Sequence, residues 1–372
     1  MSAHATPQRR FGFWRWVWLA VMIGAAGLAW YAGGIWKAVP PAVVLPAEPA
    51  WPGLYLAPGI PFTNTMLSAL LASLLVFGPM LWAVQAFVRG GKDVPSGFYQ
   101  IVEMAVEFFW NTTQSAAGKW AKRIFPFTMT IFLYVLAVNL FKMVPIHETI
   151  GYTKLAHGNI QGYAPQSVKF LWWDVHLLDG SHPYTGEHAE AAPAEGEAGH
   201  GEAEAESAYW NSAEPCENCE IVPSIRGAAT DLNFTASLAL ITMLMVQVFG
   251  VWALGPDYFS KFFNLKTIVS KPFFGLMDFI VGLLELISEI AKILSFSLRL
   301  FGVIFAGTLL LAIVSTLSFG GAQPLVFFVP GLLVGLELFV GIIQAYVFST
   351  LALTFMSQAT VSHHGDEHSE AH

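Results

Sequence analysis

The chain has 372 residues, of which 55% are hydrophobic and only 12% are charged. An average soluble domain is about 25% charged, so this chain has too few charged residues to cover a soluble fold. Its net charge of −8 argues against binding to nucleic acid, because phosphate contacts require lysine and arginine. The composition therefore excludes a cytosolic enzyme, a nucleic-acid binder and a disordered protein, and predicts an integral membrane protein.

Long apolar segments recur along the chain, and a helix needs about 20 apolar residues to cross a hydrocarbon core of about 30 Å. The first segment follows Arg9, Arg10 and Arg15, which is also typical of a signal peptide. Its apolar part is long and shows no clear small-residue cleavage site, so we favour a retained span over a cleaved signal. The predicted spans are residues 16–36, 62–88, 124–141, 232–256, 279–317 and 325–361.

The last two spans are unusually long. A straight helix over 279–317 would measure about 58 Å, nearly twice the hydrocarbon thickness. Neither segment has a turn signal near its central charge, Arg299 or Glu337, whereas Gly320, Gly321 and Pro324 interrupt the sequence between them. We therefore predict a hairpin of two long, strongly tilted helices rather than four short spans.

Residues 96–113 form a different kind of helix. Gln100, Glu103, Glu107 and Asn111 recur at helical spacing opposite an apolar face. This pattern predicts an amphipathic helix on the inner membrane surface. The predicted fold is thus an all-α polytopic membrane protein with about five to six transmembrane helices, a C-terminal tilted hairpin and one amphipathic surface helix.

Charge sets the predicted topology. The segments 89–123 and 257–272 carry clusters of lysine and arginine and are predicted to be cytoplasmic. The loop 146–230 has thirteen acidic residues against three basic ones and is predicted to be external, with both termini cytoplasmic. The predicted regions are an N-terminal span with a Pro-rich linker (1–57), two spans with the amphipathic helix (58–145), the acidic loop (146–230), the helices of the ion path (231–362) and a tail (363–372).

The external loop contains a stretch, 186–207, of Glu, Ala, Gly and His that cannot form a core and is predicted to be solvated. We assign no metal site to its His188 and His200. Cys216 and Cys219 follow on the oxidising side of this topology, where we favour a local disulfide over a redox motif. The sequence predicts neither a cofactor nor a metal site.

Polar residues inside the long spans are costly and mark candidate functional positions. Arg299 retains its proton at physiological pH, so its use must be electrostatic; the competing interpretation is a permanent pair with Glu285 or Glu289 that holds helices together. On the first long helix, Glu285, Ser288, Lys292, Ser295 and Arg299 share one face, and Glu289 lies beside it.

On the second long helix, Glu337 and Gln344 also share a face. In an antiparallel hairpin Gln344 falls near the depth of Arg299, and Glu337 falls nearer the opposite surface from Glu285. Carboxylates on both sides of an arginine are the minimum that two offset half-channels require.

These residues also carry a resemblance. The run Ser-Phe-Ser-Leu-Arg-Leu-Phe-Gly at 295–302, with Phe-Ala-Gly at 305–307 and Gln-Ala-Tyr-Val-Phe at 344–348, resembles the signature of the a subunit of F-type ATP synthase. Asp231-Leu-Asn and Pro61-Phe-Thr-Asn-Thr match other segments of that family. The resemblance covers about residues 58–362.

The resemblance implies a stator subunit beside a rotating ring of c subunits and a b-type peripheral stalk, in a bacterial inner membrane. Arg299 would separate two proton half-channels and act on the ring carboxylate, with Gln344 helping to hold it. Glu337, with Asp231 as a further candidate, would line the external half-channel. The internal half-channel would be lined by Glu285, Glu289, Ser288, Ser295 and Lys292.

The chain departs from the family pattern at two positions near the external path. Val303 stands where many relatives have Asn, and Thr308 stands where many have an acidic or imidazole side chain. The coupling ion is proton by default, and the sequence leaves sodium open. No GxxxxGK[ST] motif occurs, so the isolated chain is not predicted to bind nucleotide or to act as an enzyme.

Two other classes of membrane protein are alternatives to this interpretation. A secondary transporter or antiporter with an intramembrane Arg/Glu site predicts internal repeats with matched broken helices, which the sequence does not show. A haem-binding electron-transfer protein needs histidines within the spans, and here they lie in the predicted loops and tail, for example His147, His157 and His363.

Overall fold

The structure is a computed structural model. It describes residues 47–51, 53–90, 98–144, 151–155, 162–170, 173–183, 219–255, 272–319 and 325–361, with the single positions 16, 20, 24, 147 and 258. Several predicted features lie outside the described residues: most of the first span, the stretch 186–207 with its histidines, Cys216, and the tail 363–372.

Helices account for most of the described chain. Each predicted span from the second onward coincides with one helix. The helices are α1 (Asn64–Gly90), α2 (Phe98–Ala117), α3 (Ala121–Lys142), α4 (Leu232–Leu254), α5 (Pro272–Phe319) and α6 (Leu325–Ala359).

Five helical stretches of the described residues are long and apolar enough to cross a membrane. One of these stretches runs from Tyr99 to Lys142, so it joins α2 and α3 across a short 3₁₀ turn. Large apolar side chains point outward from these helices, for example Leu74 at 64% exposed and Leu332 at 74%. A surface of this kind is stable against lipid rather than water, so the chain is a multi-pass helical membrane protein.

The C-terminal segments form two long helices as predicted, whereas their tilt in the membrane stays a prediction. α5 continues for 48 residues through Arg299, and α6 continues for 35 residues through Glu337. As straight helices they would measure about 72 Å and about 52 Å. Phe296 meets Phe348 edge-on, with ring centroids 4.8 Å apart, and a Cβ on Gly307 would meet Glu337. Residue numbers therefore rise on one helix as they fall on the other, and the two helices are antiparallel.

The amphipathic segment is helical as predicted, and its polar stripe is exposed at Gln100, Glu103, Glu107 and Asn111. The opposite face is packed into the protein: Phe109 is 1% exposed and stacks at 4.3 Å on Phe132 of α3. Its placement on the inner membrane surface stays a prediction.

Helix α3 lies at the centre of the bundle, in contact with α1, α2 and α6. Eleven of its residues are buried. Its tightest approach to α6 is at Gly341, whose carbonyl accepts a hydrogen bond of 3.1 Å from Asn139. A Cβ on Gly341 would lie 3.1 Å from the Asn139 side chain, so only a glycine permits this close approach without adjustment.

A small sheet, which the sequence did not predict, covers the end of the bundle beyond α3. Strands β3 (Gly151–Leu155), β4 (Tyr163–Phe170), β5 (Trp173–Pro183) and β6 (Cys219–Pro223) form it in the order β3-β6-β4-β5, and all the pairs are antiparallel. Cys219 in β6 is buried and disulfide-bonded, and the only other cysteine of the chain is Cys216.

The segment before α1 joins this sheet. It contains a two-stranded hairpin, β1 (Tyr55–Ala57) with β2 (Ile60–Pro61). Just before that hairpin, Glu48 forms an ion pair of 2.5 Å with Lys154 of β3, and Lys154 also pairs with Glu220 of β6 at 3.3 Å. Burial lowers the pKa of Lys154, but the hydrogen bond and charge of Glu48 outweigh it and leave the pKa raised. This end of the predicted linker is thereby tied to the predicted external loop.

We expect Gly250→Ala to destabilise the protein, because a Cβ there would lie 2.3 Å from the ring of Tyr258. Overpacking of this kind costs about 1–3 kcal/mol. Gly78→Ala is the matched control, since a Cβ at Gly78 meets nothing within 4 Å. The measurement is the thermal unfolding midpoint in detergent, and equal midpoints for the two variants would contradict the close packing of Tyr258 on α4.

Candidate functional site

Arg299 lies on the outer face of α5. Its side chain is exposed, and it makes no hydrogen bond or ion pair with any residue that the structure describes. Its exposed neighbours are mainly apolar: Leu294 is 61% exposed and Leu298 is 50% exposed, and Ser295 is the exposed polar side chain one turn before it. An arginine on an apolar, lipid-depth surface is costly unless an anion reaches it from outside. The competing prediction, a permanent ion pair of Arg299 with Glu285 or Glu289, is not seen.

Gln344 lies at the level of Arg299 on the neighbouring helix. This follows from the antiparallel register of α5 and α6, in which Phe296 meets Phe348 and Gly307 meets Glu337. The side chain of Gln344 is 6% exposed, and its amide nitrogen has no hydrogen-bond partner among the described residues. Gln344 and Arg299 therefore lie at the same level, as predicted, but no hydrogen bond joins them.

The first polar cluster lies on α5 before Arg299. The Glu289 carboxylate is buried and accepts hydrogen bonds of 3.1 Å from both Lys292 and Gln247 of α4. Tyr258 donates a hydrogen bond of 2.7 Å to Gln247 and extends the chain of contacts. Lys292 also lies 5.1 Å from the ring centre of Phe355 on α6.

The other residues predicted to line the internal half-channel point away from this cluster. Glu285 is partly exposed, and Ser288 and Ser295 are exposed on the same side of α5 as Arg299. They follow the predicted stripe and leave Glu289 beside it, turned toward α4. Gln247 and Tyr258, which complete the cluster, were not predicted, since neither carries a charge or lies in a family motif quoted above.

The second polar cluster lies beyond Arg299, toward the end of α3 that leads to the sheet. Lys142, in the last turn of α3, forms an ion pair with Glu337 of α6 and donates a hydrogen bond to the hydroxyl of Thr308 on α5. It also approaches the carbonyl of Ile304 at 3.4 Å. The side chains of Lys142 and Glu337 are 9% and 8% exposed. In the sequence Lys142 only bounds a predicted span, so the sequence does not predict its pair with Glu337.

The two clusters are separated inside the protein by apolar side chains. The inward positions of α5 between Glu289 and Thr308 include Phe296, Leu300 and Ile304, each 3% exposed or less. Along the helix, Arg299 lies about 15 Å from Glu289 and about 14 Å from Thr308. The interior at the level of Arg299 is therefore mainly apolar, although it also holds the buried side chains of Gln344 and of Ser297, whose hydroxyl lies 3.4 Å from that of Thr235 on α4.

Asp231 caps helix α4 rather than joining Glu337. Its carboxylate accepts hydrogen bonds of 3.0 Å from the backbone N–H of Asn233 and from the hydroxyl of Thr65 in α1. The side chain of Asn64, next to Thr65, donates to the carbonyl of Pro223 in β6. The two motif segments that begin the second and fourth spans are thus in contact.

His147 lies just past α3, between that helix and α1. It is 9% exposed, its Nε2 lies 3.2 Å from the Ser68 hydroxyl, and its ring packs edge-on against Phe141. Burial lowers the pKa of His147, a hydrogen bond to Val144 opposes the shift, and the charge of Lys142 adds to it. No group of three or more His, Cys, Asp or Glu residues that could hold a metal occurs among the described residues.

Comparison with known proteins identifies the family to which the chain is similar. Residues 66–357 match the family described as ATP synthase A chain. The chain is 26% identical over 301 residues to ATP synthase subunit a of Mycobacterium bovis, which covers 80% of this chain and 86% of the relative. It is 33% identical over 142 residues to ATP synthase subunit a 1 of Chlorobium luteolum, covering 38% and 56%. It is 23% identical over 294 residues to the subunit a of Acinetobacter baumannii, covering 78% and 79%.

The protein is therefore a polytopic helical component of an ion-translocating membrane complex. It belongs to the ATP synthase A chain family, and the resemblance inferred from its motifs is confirmed. Its general role is that of the family, proton transport in the membrane sector of ATP synthase, and it is a channel component rather than a catalytic chain. The family match favours this hypothesis over the transporter and the haem protein.

We expect Asp231→Asn to preserve stability and Asp231→Ala to reduce it. Asparagine caps a helix as well as aspartate does, whereas loss of the cap costs about 1 kcal/mol. The thermal unfolding midpoints of both variants in detergent test this. Equal midpoints for Asn and Ala would mean that the cap contributes nothing.

The lowered pKa of His147 makes stability depend on pH. In the unfolded chain His147 takes up a proton near its ordinary pKa of 6.5, whereas burial in the folded protein lowers that pKa. The stabilising contribution is therefore complete above that value and is lost as pH falls below it. We expect the unfolding midpoint to drop between about pH 7.5 and about pH 5.5, and to drop less in His147→Gln. An equal drop in both proteins would place the titrating group elsewhere.

Proposed function

We propose that this chain is the stator subunit that carries protons to and from a rotating c ring through two offset half-channels separated by Arg299. The observation that carries the proposal is the exposed, unpaired guanidinium of Arg299 on an apolar face of α5. Such a group needs an anion from outside the described chain. A carboxylate on a neighbouring helix of the ring supplies one, and a planar guanidinium suits a carboxylate.

The two polar clusters support the half-channels. The Lys142–Glu337 cluster leads toward the sheet, which we place outside with the loop 146–230. The Glu289–Lys292 cluster, with Glu285, Ser288 and Ser295 on the outward side, leads toward the cytoplasm. The mainly apolar layer around Phe296, Leu300 and Ile304 between them favours a path that leaves the protein interior at the level of Arg299.

The mechanism follows from this arrangement. A proton enters past Glu337 and neutralises the ring carboxylate, which then leaves Arg299 and moves into lipid. A carboxylate that returns from the other side loses its proton toward Glu289 and Glu285, because the positive charge of Arg299 stabilises the anion. Arg299 keeps its own proton throughout. Gln344, with its unpartnered amide nitrogen at the same level, would orient either the guanidinium or the ring carboxylate.

The orientation rests on charge. Lys119 lies in the 3₁₀ turn before α3, and Lys122 and Arg123 lie in the first turn of α3, where the Arg123 guanidinium lies 4.5 Å from the ring centre of Trp252. A basic and aromatic belt of this kind is typical of the cytoplasmic interface. We therefore assign the chain to a bacterial plasma membrane, with both termini inside and with b-type stalk subunits as further partners. Proton is the proposed coupling ion.

We expect Arg299→Ala to abolish ATP-driven proton pumping without loss of the assembled complex. Without Arg299 no cation stabilises the ionised form of the ring carboxylate, so the carboxylate keeps its proton and the coupling step stops. The measurement is acidification of inverted membrane vesicles at matched amounts of assembled complex. Arg89→Ala, which removes an exposed arginine from the last turn of α1, is the matched control and should pump normally. Normal pumping by Arg299→Ala would overturn the proposed mechanism.

A further inference from the structure

The ion pair between Lys142 and Glu337 has a shape that points to a role in proton transfer. Three helices meet at the Lys142 ammonium, since it contacts Glu337 of α6 together with Thr308 and the Ile304 carbonyl of α5. An ammonium has three donor hydrogens and no acceptor. The site offers three acceptor oxygens, one for each donor.

We propose that Lys142 is a positioning residue of the external proton path, where it holds the Glu337 carboxylate ionised and oriented so that it is ready to receive the next proton. This inference rests on the proposed function, because it takes Glu337 as a member of that path. Lys142 keeps its own protons: the incoming proton bonds to a carboxylate oxygen of Glu337 and then leaves toward the ring.

The energetics favour a fixed counter-charge. A carboxylate buried among apolar helices is unstable as an anion unless it is paired and hydrogen-bonded. With side chains that are 9% and 8% exposed, neither Lys142 nor Glu337 has much water to replace its partner. Lysine suits the position, because its compact ammonium has three rotatable donors, one for each of the three acceptor oxygens.

The surroundings are shaped to admit the pair. A Cβ on Gly227 would lie 3.1 Å from Lys142 Cδ, and a Cβ on Gly307 would lie 3.4 Å from Glu337 Oε1. Glycine at position 227 leaves room for the lysine stem, whereas a Cβ at position 307 would make ordinary van der Waals contact with the carboxylate. Thr308, which departs from the acidic or imidazole group of many relatives, contributes a neutral hydroxyl here, so Glu337 has no competing carboxylate on α5 at this point.

Two other ionisable groups near the pair, Asp231 and His147, have described partners. Asp231, close to Gly227 in the chain, is engaged by Thr65 and the N–H of Asn233. His147 is close enough for the charge of Lys142 to lower its pKa, which favours a neutral ring. The described contacts of the Glu337 carboxylate therefore leave Lys142 as its counter-charge.

The test compares Lys142→Met with Lys122→Met, the same change at an exposed lysine of the same helix. At matched assembly, Lys142→Met should lower ATP-driven proton pumping at least about tenfold, within the range expected for a positioned proton-transfer group. Lys122→Met should pump normally. Lys142→Gln, which keeps a donor to the carboxylate but no charge, should behave like Lys142→Met and covers the case in which Lys142→Met fails to assemble.

A second readout reports the state of Glu337 directly. Infrared difference spectra of the purified complexes should show one additional protonated-carboxyl C=O band in Lys142→Met, and this band should be missing when Glu337→Gln is added. A merely structural role for Lys142 would not create the band. Wild-type pumping by Lys142→Met, or loss of pumping without the band, overturns the inference. The Arg299→Ala result separates the two proposals: if Arg299→Ala loses pumping while Lys142→Met pumps normally, only the role of Lys142 is wrong.

Discussion

The cost of placing charge at the depth of lipid governs the arrangement of the C-terminal hairpin. Each such charge costs a few kcal/mol or more unless it is compensated. Glu289 is compensated by Lys292 and Gln247, and Glu337 by Lys142, in both cases with side chains turned into the bundle. Arg299 differs, because the anion that balances its charge must come from outside the part of the chain that the structure describes. That difference separates the groups that shape the paths from the group that meets a moving partner.

The chemistry of the two cations matches this division. Lys142 carries a compact charge whose donors fit acceptors on two separate helices, so it is suited to a fixed internal contact. Arg299 carries a planar fork that suits one carboxylate approaching from one side. Exchanging the two residue types would leave the charges in place but mismatch both geometries. The residue type at each position therefore supports the proposed roles independently of the net charge.

The helices could be read from the sequence because each apolar run is long and ends at charged or turn-forming residues. The hairpin register also followed, since residues that share a face on α5 and α6 must meet in antiparallel order. Half of the sheet could not be predicted, because β3 and β6 have five residues each and pair across a long separation, such as Lys154 with Glu220. Asp231 carries a visible capping signal, an aspartate directly before an apolar run, and the cap is observed, whereas its place in the external half-channel stays a prediction.

Lys142 illustrates why the candidate site was only partly accessible from the sequence. It lies 195 positions from Glu337, and nothing in local periodicity brings α3 against α6. The contact depends on the approach of these two helices at Gly341, one turn beyond Glu337, where Asn139 donates to a backbone carbonyl. The cost of a buried Glu337 predicts that some cation must be near it, but only the packing identifies which one.

The apolar layer between the two polar clusters also explains why Arg299 has to be exposed. Phe296, Leu300 and Ile304 are buried within the bundle, and Phe296 is closed off further by Phe348 of α6. An arginine turned into this layer would be buried among apolar side chains. It would also connect the two clusters in one continuous polar path, through which protons would leak without turning the ring. Placed on the outer face, beside Leu294 and Leu298, the same charge contacts only what passes along the lipid side. The mainly apolar interior and the exposed guanidinium thus meet the same requirement: protons cross this level only on a moving carboxylate.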